Sequence, residues 1–89
     1  MEKTFNVLKS IIESLVVHKE NIVINSSIDA MGVLFTLTVH RDDMGRIIGK
    51  SGETAKALRV ILRAVGMTEK ARVNLKIEEP EGKTLHAEH

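Results

Sequence analysis

Apolar residues recur along this chain first with the period of a helix and then with that of a strand, and the two periods keep exchanging. Over residues 4–17, Leu8, Ile11, Ile12 and Leu15 fall at 3–4 spacing. Val7 and Val16 widen the stripe, and Lys9, Ser10 and Glu13 take the other side. That spacing predicts an amphipathic helix. Thr4 suits its N-cap, because a threonine hydroxyl can accept one of the unpaired N–H groups of a first turn. The polar run His18–Asn21 ends it. Residues 22–28 alternate, with Ile22, Ile24 and Ile28 against Val23, Asn25 and Ser27. Residues 33–39 alternate more strictly: Val33, Phe35, Leu37 and Val39 point one way, Thr36 and Thr38 the other. The four-residue turn Asp29-Ala-Met-Gly32 makes the two strands an antiparallel hairpin.

The period then returns to that of a helix. Asp42-Asp43 suits an N-cap and first turn, and Met44–Ile48 gives little more than one turn before Gly49. Residues 53–65 form the best helix of the chain, with Ala55, Leu58, Ile61, Leu62 and Val65 as its buried stripe and Gly66 as its stop. Residues 71–77 alternate again, Ala71, Val73, Leu75 and Ile77 against Arg72, Asn74 and Lys76. Pro80 and Gly82 end the ordered part. The expected order is α-β-β-α-α-β, with residues 1–79 as one domain and 80–89 as a flexible tail. A β-α-α-β passage needs a crossover, which makes strands 33–39 and 71–77 parallel neighbours. The first strand pairs on the other side, and the helices cover one face of a three-stranded mixed sheet, an α+β fold.

Composition narrows what this fold can do. A chain of 89 residues that is 43% hydrophobic supports one modest core. Having no Cys, it cannot use disulfides, thiolate catalysis or Cys-based zinc sites. With two Phe and no Tyr or Trp it cannot be a stacking platform for bases. The longest stretch free of polar side chains, Ala30–Phe35, falls far short of the ~20 residues that span a bilayer. No basic segment followed by an apolar one opens the chain, so a cytoplasmic location without membrane association is expected. The formal charge of +1 conceals an asymmetry: residues 1–40 carry −1, residues 41–76 carry +5 and residues 77–89 carry −3.

That positive block contains Gly45-Arg-Ile-Ile-Gly49-Lys-Ser-Gly52. Two helices joined by Gly49–Gly52 make a very tight turn, in which glycines permit positive φ and let another backbone come close. The N–H groups opening the second helix, with the positive end of its dipole, suit an anion such as phosphate, and Lys50 adds a charge. Three readings are open. The glycines can simply cap the helices of a helix–turn–helix junction. A nucleotide-binding loop of the form G-x-x-x-x-G-K-[ST] is a poor fit, since only three residues separate Gly45 from Gly49 and a helix, not a strand, precedes the loop. The third reading is a G-x-x-G loop that clamps single-stranded nucleic acid.

The string Ile47-Ile48-Gly49-Lys50-Ser51-Gly52, with Arg46 before it and Ala55, Leu58 and Arg59 after it, resembles the KH-domain signature. The element order resembles the type II KH arrangement. The leading helix, the Asp-Asp-Met-Gly-Arg-Ile-Ile-Gly-Lys block and the Ala-Lys-Ala-Leu-Arg run resemble small bacterial single-KH RNA-binding proteins of the KhpA type, over residues 4–77. The resemblance implies single-stranded RNA binding without catalysis, in an RNA chaperone or post-transcriptional regulator. Gly49 and Gly52 would admit the RNA backbone, Lys50 and Ser51 would hold phosphate, Arg46, Lys56 and Arg59 would supply charge, and Ile48 would form an apolar floor. Glu53 departs from related loops: it suits a helix start but repels phosphate.

One such groove holds about four nucleotides, so a homodimer, or pairing with a larger KH-containing protein of the Jag type, is expected to add avidity. No cofactor, metal or small-molecule substrate is implied. The alternative is a KH-shaped interaction or dimerisation module with little RNA binding of its own. Lys56, Arg59 and Arg63 share one helix face at i, i+3 and i+7, which an ordinary solvated face also explains. His18, His40, His86 and His89 are scattered in sequence, and His86-x-x-His89 falls in the tail.

Overall fold

The structure, a computed structural model, describes residues 2–80. Helix α1 spans Glu2–Leu15 and a 3-10 turn at Lys19–Asn21 leads into strand β1, Val23–Asp29. Strand β2 is Gly32–Thr38. A second 3-10 turn, Arg41–Asp43, opens helix α2, Met44–Ile48. Lys50–Gly52 form a third such turn before helix α3, Glu53–Thr68, and strand β3 closes the order at Val73–Glu78. The sheet runs β1-β2-β3. β1 pairs antiparallel with β2 (Ser26 opposite Phe35), and β2 pairs parallel with β3 (Phe35 opposite Leu75). This is the mixed sheet and the type II KH-like α+β arrangement that the sequence leads one to expect.

The core lies between the three helices and one face of the sheet. Leu8, Ile12 and Val16 from α1 and its end, Ile47 from α2, and Leu58 and Leu62 from α3 meet Val33, Phe35, Leu37, Val39, Val73 and Leu75. The strict alternation of residues 33–39 is the reason: every second side chain there is buried and every other one stays half-exposed. Both phenylalanines are spent on packing, Phe5 lying against Phe35 with ring centroids 6.5 Å apart. The first strand behaves less simply. Ile22 and Ile24 pack on the core, whereas Ile28 is 75% exposed. β1 is an edge strand, and its hairpin end has no helix over it.

Two expectations about helix ends and one about a buried stripe need correction. Thr4 is not the N-cap of α1, which already begins at Glu2. Thr4 is buried, and its N–H and hydroxyl donate to Glu69 Oε1 at 3.1 and 2.5 Å. A carboxylate 65 residues away thus takes over the capping task. Gly66 does not stop α3, which continues to Thr68. Gly66 is buried where α3 crosses the sheet, and a Cβ there would lie 2.5 Å from Val73 Cγ2 and 3.1 Å from the Ala71 carbonyl oxygen. The helix ends instead in a Schellman motif: Ala71 N–H donates to the Gly66 carbonyl at 2.9 Å and Lys70 N–H to that of Met67 at 3.0 Å. The left-handed position falls on Lys70, with φ +57°. Ile61 leaves the buried stripe, which reads Ala55, Leu58, Leu62, Gly66. The tail expected at 80–89 falls, beyond Pro80, outside the described residues, as does His86-x-x-His89.

Candidate nucleic-acid interface

The turn between α2 and α3 departs from ordinary backbone at three of its four residues. Gly49 has φ +78° and ψ 174°, Ser51 φ +55° and ψ 26°, and Gly52 φ +76° and ψ 14°. Gly49 is required twice over. Its φ favours glycine, and a Cβ would lie 2.7 Å from Thr54 Cβ and 2.8 Å from Thr54 N. Gly52 is required for its φ alone, since nothing lies within 4 Å of a Cβ built there. Ser51 holds a left-handed conformation that ordinarily costs about 1–2 kcal/mol in a residue with a side chain. Backbone bonds from Gly49 N to the Gly45 carbonyl (2.8 Å) and from Gly52 N to the Gly49 carbonyl (3.1 Å) fix the turn.

No side chain caps α3, whose N-cap is Gly52. The N–H of its first residue, Glu53, donates back to the Lys50 carbonyl, and the N–H groups that follow have no side-chain partner among the described residues, with the positive end of a 16-residue helix behind them. Lys50, Ser51 and Lys56 are exposed around this point. Glu53 is exposed beside them, where it suits the helix dipole. Ile47 and Ile48 divide the apolar work. Ile47 is fully buried in the core, while Ile48 is half-buried and lies outside the core cluster.

Across from the turn runs β3, one edge of the sheet. Val33 N–H donates to the Arg72 carbonyl at 2.8 Å, so the backbone groups of Asn74 and Lys76 also turn toward β2. Those of Val73, Leu75 and Ile77 turn to the free edge, because successive strand residues face opposite sides. Arg59 reaches this edge, its Nε donating to the Leu75 carbonyl at 3.2 Å. It makes no other polar contact among the described residues. α3 and the free edge of β3 thus lie side by side, joined at Leu75 through Arg59.

Arg46 is placed differently from the other cations. Its Nη1 donates to Asp43 Oδ1 at 3.0 Å and to the Asp42 carbonyl at 3.3 Å. Asp43 is fully buried and accepts from Val17 N (3.0 Å) and His18 N (2.9 Å). Burial pushes this carboxyl's pKa up, but the two N–H groups and the charges of His18 and Arg46 outweigh it, and the net shift is downward. Asp43 thus clamps the end of α1 to the start of α2, and Arg46 pairs with it. In sequence Asp42-Asp43 reads as a simple cap. The side chain that caps the 3-10 turn is instead His40, whose Nδ1 accepts from Asp42 N at 3.0 Å.

His18 and His40, 22 residues apart, stack with ring centroids 4.0 Å apart. With Asp42 they form the one group among the described residues whose ligating atoms lie within 4.8 Å of each other. A metal bound there through His40 Nδ1 would have to displace the Asp42 N–H. Nothing in the spacing of these histidines marks them as neighbours; the pairing comes from the tertiary clamp at Asp43.

Comparison with known proteins finds relatives of this chain. A family model described as KhpA/KhpB, KH domain, matches residues 6–77. A protein of Oceanobacillus iheyensis named RNA-binding protein KhpA is 43% identical over 70 residues, covering 79% of this chain and 93% of that one. Proteins of the same name from Listeria monocytogenes (40% identical over 70 residues, 79% and 92% covered) and Chlamydia caviae (38% over 72 residues, 81% and 92%) are similar as well. No solved structure matches the chain.

Proposed function

The chain belongs to the KhpA/KhpB family of KH domains, and on that premise we propose that it binds single-stranded RNA, without catalysis, across the Gly49–Gly52 turn. The observation that carries this is the uncapped start of α3 beside a turn held open at Gly49, Ser51 and Gly52. A phosphate set on these N–H groups meets the helix dipole, the Lys50 ammonium and the Ser51 hydroxyl together. Lys56 adds charge one turn along α3. Arg59 stands at the β3 edge, where its remaining N–H groups and the free backbone of Val73 and Ile77 can read base edges. Ile48 offers an aliphatic floor for a base, in a chain whose aromatic rings are both in the core. Arg46 contributes chiefly by holding α2 through Asp43.

The relatives' name as RNA-binding proteins supports the same reading. A role as RNA chaperone or post-transcriptional regulator in the cytoplasm follows from it. Among the described residues no helix is long and apolar enough to cross a membrane. A groove for about four nucleotides binds weakly alone, which favours a homodimer or a Jag-type partner. Val60 and Ile61, 58% and 40% exposed, leave an apolar stretch of α3 uncovered for such pairing.

A titration of labelled protein with a four-nucleotide single-stranded RNA, followed by amide chemical shifts, tests the site. Perturbations are expected at Gly49–Ala55 and at Val73–Ile77. Perturbations absent from the turn would instead favour a module that keeps the shape for protein contacts alone.

A further inference from the structure

The cations of α3 do not stop at the groove. Lys56, Arg59 and Arg63 follow one face at i, i+3 and i+7. Arg59 fixes the direction of that face, since it bonds the free edge of β3. One turn further on, Arg63 lines a depression whose other walls are Met67, Lys70, Ala71 and Arg72. Arg63, Lys70 and Arg72 have no ion pair or side-chain hydrogen bond among the described residues. No acidic residue lines the depression, and Glu69 is turned away to Thr4. Met67 is 72% exposed, so an apolar surface stands uncovered inside a ring of three cations. At 1.5 Å per residue, Arg63 lies about 15 Å along α3 from its first residue, on the same side as the groove.

We propose that this depression is a second RNA subsite: a strand held at the glycine turn continues along Lys56 and Arg59 and places a base on Met67 and Ala71, its flanking phosphates on Arg63, Lys70 and Arg72. The chemistry fits one ligand class. A single strand presents an apolar base face between phosphates, and such binding combines a cationic track with apolar surface. The inference rests on the groove reading above and extends it. The footprint becomes longer than the four nucleotides of a single groove.

The test compares a four-nucleotide RNA with a 12-nucleotide RNA containing it, on the full chain, by fluorescence anisotropy across salt concentrations. Three further phosphate contacts steepen the slope of log affinity against log salt by roughly 2 for a single strand. Between 50 and 200 mM salt the longer RNA should therefore lose about 20-fold more affinity than the shorter one. The double variant Arg63→Gln, Arg72→Gln, which leaves only Lys70, should cut this excess from about 20-fold to about threefold and leave the four-nucleotide affinity within twofold. Equal slopes for the two RNAs in the wild type, or an excess undiminished in the double variant, overturn the proposal. Failure of the underlying groove reads out separately: Lys50→Asp with Ser51→Asp would then leave the four-nucleotide affinity untouched. Circular-dichroism melting of each variant confirms folding, which neither exposed arginine side chain is needed to maintain.

Discussion

Replacing Lys70 with glycine should stabilise this protein, although the change removes a side chain and adds none. Lys70 occupies the left-handed position that ends α3, with φ +57°, inside the paired bonds Ala71 N to Gly66 O and Lys70 N to Met67 O. A residue with a Cβ ordinarily pays about 1–2 kcal/mol to sit there. Glycine does not, but it carries roughly 0.5–1 kcal/mol of extra chain entropy into the unfolded state. The difference leaves a gain of about 0.5–1 kcal/mol. For a domain of this size that raises the melting temperature by about 2–8 °C. The Lys70 side chain gives up no hydrogen bond or ion pair in the change. Lys70→Ala is the control: it removes the same charge but keeps the Cβ, and should stay within about 0.5 kcal/mol of the wild type. The assay is reversible thermal melting by circular dichroism, with a urea titration in parallel. The reasoning fails if Lys70→Gly melts at or below the wild type. It fails equally if Lys70→Ala gains as much as Lys70→Gly, for then charge and not backbone conformation governs the site.

Gly66→Ala should destabilise by about 1–3 kcal/mol, the range for overpacked cores, because its methyl would press on Val73 Cγ2 and the Ala71 carbonyl. Gly45→Ala, in open space and without positive φ, should instead gain about 0.5–1 kcal/mol; the urea midpoints of the two variants should move in opposite directions. Asp43 and Glu69 both have lowered pKa values in the folded chain, relative to ordinary values of 3.8 and 4.5. For Glu69 the Thr4 hydroxyl and N–H are responsible, against the opposing effect of burial. A group whose pKa falls on folding contributes its full stability above the ordinary value and loses it as pH drops through the folded one. The melting temperature should therefore hold down to about pH 5 and fall below it, and Asp43→Asn should flatten that fall.

The strands and the glycine turn are legible in the sequence because their signals are local. Alternation over residues 33–39 and 71–77 is set by side chains two residues apart, and the sheet forms with that phase. Gly49 and Gly52 announce positive φ, and both have it. What escapes the sequence depends on residues far apart in the chain. A glycine near a helix end reads as a stop, and only the crossing with β3 reveals Gly66 as a packing contact. A lysine gives no hint of a left-handed backbone. Thr4 reads as a cap because its partner, Glu69, lies 65 residues away. The Asp43 clamp and the stacked histidines likewise exist only once α1 and α2 meet. Around the glycine turn, the sequence locates the turn and its cations; it does not reveal that Arg46 pairs with Asp43, nor that Arg59 bonds the strand edge.

If phosphate sits at the Gly49–Gly52 turn, the double variant Lys50→Asp, Ser51→Asp should abolish its seat. Both glycines remain, and aspartate tolerates the left-handed conformation of Ser51 better than most residues, so the melting temperature should change little. Two carboxylates would then occupy the place of a phosphate's partners. Removing two charge-assisted hydrogen bonds costs about 1.5–3 kcal/mol each. The affinity for single-stranded RNA, read by fluorescence anisotropy at constant salt, should therefore fall on the order of 100-fold or more. An unchanged affinity in the folded variant would mean that RNA phosphate does not bind at this turn.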